Sequence, residues 1–122
     1  MVNIPITLHS TGKKEVVKTD FSLRAKGNSK MLNFDSELFM FELCIKDVVD
    51  MEDFFNFLNG KEKKIILHCA LNYQDKEYKG LRKLTMRNNN MAVSLGASRL
   101  EFNQSAQEQL LNIVKSIKTS NK

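Results

Sequence analysis

The chain has 122 residues, 42% of them hydrophobic and 27% charged, with five Gly and one Pro. That is the size of one domain with a core of its own, and it excludes a collagen-like, low-complexity or wholly disordered chain. The net charge of +5 belongs to the second half: residues 62–122 carry eleven basic and five acidic side chains, residues 1–61 eight and nine. Such asymmetry suits an anionic partner, and equally a solvated sheet face.

Apolar runs of about four or five residues are far short of the roughly 20 that a membrane-spanning helix needs. Met1-Val2-Asn3-Ile4-Pro5 has neither the basic start nor the apolar stretch of a signal peptide, so a cytoplasmic location is expected. Cys44 and Cys69 fall in apolar strands and are expected to be reduced core residues.

Val2, Ile4, Ile6 and Leu8 alternate with polar residues, which predicts a half-buried strand. Pro5 offers no amide donor and places that strand at an edge. After the turn signal Ser10-Thr11-Gly12-Lys13, Val17, Thr19, Phe21, Leu23 and Ala25 repeat at period two and complete a hairpin. Residues 27–36 break the pattern and read as a connection. Glu37 to Ile45 is apolar on both faces and reads as the central strand.

A short helix is expected over Met51 to Asn59, capped by Asp50 and ended by Gly60, with Met51, Phe54, Phe55 and Leu58 on its buried face. Strands follow at Lys64 to Tyr73 and Tyr78 to Arg87, with Gly80 as a bulge candidate, and at Met91 to Leu95 and Leu100 to Phe102. Ser105-Ala106-Gln107-Glu108 fits a capping box that opens a helix striped with Leu110, Leu111, Val114 and Ile117. The expectation is one α+β domain over residues 1–118 with a frayed tail over 119–122. It is a single antiparallel sheet of about six or seven strands with both helices on one face.

Sequence-local catalytic patterns are missing: no Cys-x-x-Cys, His-Glu-x-x-His or Gly-x-Ser-x-Gly spacing occurs, and the five glycines are scattered. His68 and Cys69 are neighbours in a strand and point to opposite faces, so they form no nucleophile and base. Glu42, Asp47, Asp50, Glu52 and Asp53 lack calcium-loop spacing. Neither a cofactor nor a metal is expected. Lys79, Lys83 and Arg87 share one parity of their strand, and Lys64 and His68 share the polar parity of the strand before it. A hairpin presents them together, which suits either an acidic partner or phosphates, although aromatic stacking residues are not interleaved. Phe57 lies off the helical stripe: complete burial is the first expectation, and exposed beside Asp53 and Asn56 it would instead be a protein-binding feature.

The segment Phe39-Met40-Phe41-Glu42-Leu43-Cys44-Ile45 leads through Asp47 and Asp50 to a short helix ending at Gly60. With the meander, Leu100-Glu101-Phe102 and the helix at Ser105, this order resembles small bacterial immunity-type proteins encoded beside toxins. The resemblance implies a protein without chemistry of its own that binds and blocks a partner protein such as a toxin. The basic charge sets it apart from the acidic members that cover nucleases. Its partner-binding candidates are Phe57, Asp53, Lys79, Lys83 and Arg87. The alternative is nucleic-acid binding through Lys64, Lys79, Lys83 and Arg87.

Overall fold

A computed structural model describes residues 2–120, with side chains through Lys118. The described residues form eight strands and two helices: β1 (Val2–Ser10), β2 (Lys13–Lys26), β3 (Ser29–Asp35), β4 (Phe39–Ile45), α1 (Val48–Leu58), β5 (Lys64–Tyr73), β6 (Lys76–Arg87), β7 (Asn90–Leu95), β8 (Ser98–Phe102) and α2 (Gln104–Ser120). Each strand pairs antiparallel with the next, and β8 returns to pair with β1 through Leu8 opposite Leu100 and His9 opposite Arg99.

The sheet is therefore a closed barrel, and the open sheet of six or seven strands expected from the sequence is incorrect. The covered face that the alternation demanded is the inside of the barrel. The strand missing from the sequence reading is β3, taken there for a connection. Its inward Leu32 and Phe34 do alternate, but Met31 and the buried Asn33 on the outward parity blur the pattern. β1 is not the edge strand that Pro5 suggested, since it pairs with both β2 and β8, although Pro5 itself precedes the β8 ladder, which begins at Thr7. Gly80 is no bulge: the β5–β6 register runs without a slip from Lys64 opposite Thr85 to Tyr73 opposite Lys76.

Rings fill the interior. Phe34 of β3 lies 5.4 Å from Phe102 of β8 in an edge-to-face contact, and Phe41 of β4 lies 6.2 Å from Phe102. β3 and β4 stand across the barrel from β8, so these contacts span it from wall to wall at that level. All three rings are fully buried, and aromatic pairs at such distances contribute about 0.5–1.5 kcal/mol beyond their burial. Inside the β1–β2 ladder the Thr19 hydroxyl donates to the Ile4 carbonyl at 2.7 Å, which satisfies a buried polar group.

Both helices emerge at the same end of the barrel. α1 packs on β4 and β5, α2 on β1, β7 and β8, and the two helices touch each other, so together they bridge that mouth. This corrects the expectation that they cover one face of a sheet. The N-cap of α1 is Asp47, not Asp50: its Oδ1 accepts from the Asp50 amide at 2.9 Å, and the Asp50 carboxylate accepts from the Lys46 amide at 3.3 Å. At α2 the Asn103 Oδ1 accepts from the Ala106 amide at 2.9 Å, which puts the cap two residues before the expected Ser105. Gln107 Nε2 donates to the carbonyls of Phe102 and Asn89, each at 2.9 Å, and ties the helix start to the β6–β7 turn. Of the expected tail, Thr119 and Ser120 continue α2, while Asn121 and Lys122 lie outside the described residues.

Two sets of variants check this account by urea denaturation. Phe102→Ala should lower stability by about 3–5 kcal/mol, because the opposite wall cannot collapse onto the lost ring. Asn103→Ala should cost about 1 kcal/mol, and Ser105→Ala less than about 0.5 kcal/mol. The reverse ranking would return the cap to Ser105.

Candidate partner-binding face

Outward side chains of β3 to β6 form transverse rows, because a common register runs across four strands. One row reads Met31, Cys44, His68, Leu81 and the next reads Asn33, Glu42, Ala70, Lys79. Ile66 stands opposite Lys83, one step from the His68–Leu81 pair, and Lys64 stands opposite Thr85. Ile66 is 57% exposed and Leu81 59%. As diagonal neighbours on one face they make a contiguous apolar spot. Lys64, Lys79 and Lys83 border it.

The cations of this face are largely uncompensated. Lys79 Nζ lies 3.5 Å from the Glu77 carboxylate in a well-exposed pair, worth little in water. Among the described residues Lys64 and Lys83 have no ion pair. Glu42, in the next row, is matched by Arg24 at 2.7 Å.

The candidates read from the sequence divide accordingly. Lys64, Lys79 and Lys83 come together. Arg87 points outward too, but lies at the far end of β6 opposite Asn90, beside the Asn88-Asn89 turn where both residues have positive φ. Asp53 is exposed on α1, away from this face. Phe57 is 0% exposed and cannot be a binding feature. α1 is covered by both the barrel mouth and α2, so burial spreads beyond one helical stripe and takes in Phe57. Phe55, expected in the core, is only half-buried and has Lys118 Nζ 3.8 Å above its ring. Ile66 and Leu81 were missed as functional residues. Their signal was an apolar residue on the polar parity of each strand.

The register also creates a pair that no sequence neighbour shows, with Cys44 opposite His68 on the outer wall. It is not an activated nucleophile. Burial, then the Glu42 and Asp50 carboxylates, push the Cys44 thiol up from its ordinary range, which keeps it protonated. Cys69 faces the interior, where burial pushes its thiol up to about 12 against the opposing pull of the Arg82 guanidinium. The two cysteines are free and lie on opposite sides of the barrel wall.

On the β8–β1 wall Glu101 accepts from Arg99 Nε at 3.0 Å and lies 3.2 Å from His9 Nε2, without hydrogen-bond angles to the latter. At the helical end, a groove of about 520 Å³ runs between the Gly27-Asn28 turn and α1. Its Lys118 is paired with Glu52 at 2.6 Å. Among the described residues no group of three or more His, Cys, Asp or Glu side chains is placed to hold a metal, and no helix is long and apolar enough to cross a membrane.

The thiols give a direct check. A disulfide reagent at pH 8 should label Cys44 in the folded protein and Cys69 only after denaturation. Because the folded state holds the Cys69 proton to about pH 12 and the unfolded chain releases it near 9, the unfolded state binds fewer protons between those values. The contribution of this thiol to stability should therefore be fully present below about pH 8 and be lost as pH rises from 9 toward 12, so that stability falls more steeply there than in Cys69→Ala.

Comparison of the chain with protein-family models, curated proteins and solved structures finds no match.

Proposed function

We propose that this protein is a non-enzymatic binding module that engages an acidic partner protein through the outer face of β5 and β6. The observation that carries the reading is the apolar pair Ile66 and Leu81, each more than half exposed, set among Lys64, Lys79 and Lys83. Exposed aliphatic side chains inside a charged border are the usual make-up of a protein interface, where the apolar centre supplies affinity and the rim supplies steering. The partner is acidic because the border is cationic and the second half of the chain carries the whole net charge. The narrower form of this reading is an inhibitor or immunity-type protein that blocks a toxin.

Nucleic acid is the competing ligand for the same cations. Nonspecific strand binding depends on exposed aromatic platforms, and among the described residues no Phe or Tyr side chain is exposed. Phosphate contacts alone leave a weak, salt-sensitive association.

The test begins with a protein that wild-type chain retains from the cells that express it and that the double variant Lys79→Glu/Lys83→Glu does not. That protein is then purified and titrated calorimetrically. Ile66→Ser/Leu81→Ser should raise Kd about tenfold or more, equivalent to about 1.4 kcal/mol, while both double variants keep the wild-type urea midpoint. A purified partner that binds the variants as well as wild type would remove this face from the interface. Sequence-selective DNA or RNA binding that persists in high salt, with no protein titrating, would overturn the reading.

A further inference from the structure

We infer that the free margin of β6, Lys76–Lys83, takes up an extended acidic segment of the partner as an added strand. The inference rests on the binding face proposed above and specifies how the partner engages it. β6 pairs with β5 along Lys76–Thr85, but with β7 only at Leu84–Arg87. Beyond Val93, β7 continues with β8 and turns at Gly96, where an added Cβ would come within 2.6 Å of the Tyr78 ring. Among the described residues, eight of β6 therefore have no strand on one side. At about 3.4 Å per residue they span about 27 Å, longer than an ordinary strand of five or six residues.

Little else occupies that margin. Among the described residues the one side-chain hydrogen bond to its backbone is from Arg82 Nη1 to the Leu81 carbonyl at 3.1 Å. Arg82 faces inward where β7 has departed, and its guanidinium lies over Gly80, within 3.0 Å of where a Cβ would stand. An inward charge and edge lysines are devices that discourage pairing with another copy, and each copy also carries +5. They do not discourage an acidic strand.

The side chains specify a pattern. Along the outer face β6 presents Lys79, Leu81 and Lys83 at alternate positions. A strand laid beside it, with every second residue on the same face, meets them best as acidic, apolar, acidic, the intervening residues being small and turned toward Gly80 and Arg82. Main-chain hydrogen bonds supply affinity in this mode, and the alternate side chains supply selectivity.

The probe is the peptide acetyl-TETLTET-amide, titrated into the isotopically labelled full chain and followed by NMR. Amides within Lys76–Lys83 should shift and exchange more slowly with solvent, and acetyl-TKTLTKT-amide should bind at least about fivefold more weakly, as two exposed ion pairs allow. Two further versions of the probe are N-methylated at alternate amides, one set on each side of the strand, and at least one should lose binding. These leave the protein intact, so folding does not enter the comparison. If both N-methylated peptides bind like the parent, with shifts confined to Ile66, Leu81 and their outward neighbours, strand addition is overturned and the binding face stands. Binding of the lysine peptide equal to that of the glutamate peptide, or no binding of the acidic peptide at millimolar concentration, also overturns strand addition. The face itself is then decided by the separate calorimetric titration of the purified partner.

Discussion

The meeting of Phe34, Phe41 and Phe102 across the barrel is the contact on which the architecture depends. A ring of eight strands encloses a space that must be filled by side chains from opposite walls, since an apolar void costs free energy in proportion to its volume. Phe102 comes from the last strand and the other two from the third and fourth, so their contact holds opposite walls together at a fixed distance. Once the interior is filled by side chains, chemistry and recognition are left to the outer wall and the two ends. One end is bridged by helices, whose mutual contact includes Lys118 lying between Glu52 and the Phe55 ring.

Local pattern in the sequence was sufficient for most of the elements, and insufficient for how they join. Clean alternation located β1 and β5, because every second side chain in those strands is buried. β3 escaped notice because burial in a barrel wall depends on lateral neighbours as well as parity. Asn33, on the outward side, lies between Ser22 and Glu42 and is covered despite pointing out. Closure was invisible for a different reason. It depends on Leu8 meeting Leu100, a pairing between the two ends of the sheet that no local window contains. The helix caps were displaced because Asp47 and Asn103 lie among other residues with capping side chains, and only the surrounding backbone decides which oxygen faces the free amides.

The candidate face was half legible. Parity along β5 and β6 brought Lys64, Lys79 and Lys83 together correctly, since a hairpin preserves the alternation of both its strands. Leu81 and Ile66 were passed over, because their exposure is set by what lies outside the barrel wall. Phe57 fails as a binding candidate, in the opposite sense. Helical periodicity places it off the stripe, but the helix is buried on two sides, by barrel and by α2, and a second face of the helix is filled.

The pairing of β8 with β1 has a consequence for how the chain is made. The strand that closes the barrel is the last to leave the ribosome, about 90 residues after its partner, which at ordinary rates of synthesis is a delay of about 5–20 s. Throughout that interval Thr7–Ser10 has β2 on one side and nothing on the other, and the interior stands open to water. A nascent chain halted before residue 98 holds a sheet that cannot close. Its exposed Ile4, Ile6 and Leu8 make it a substrate for chaperones and proteases, whereas the same residues in the finished protein are sealed from both.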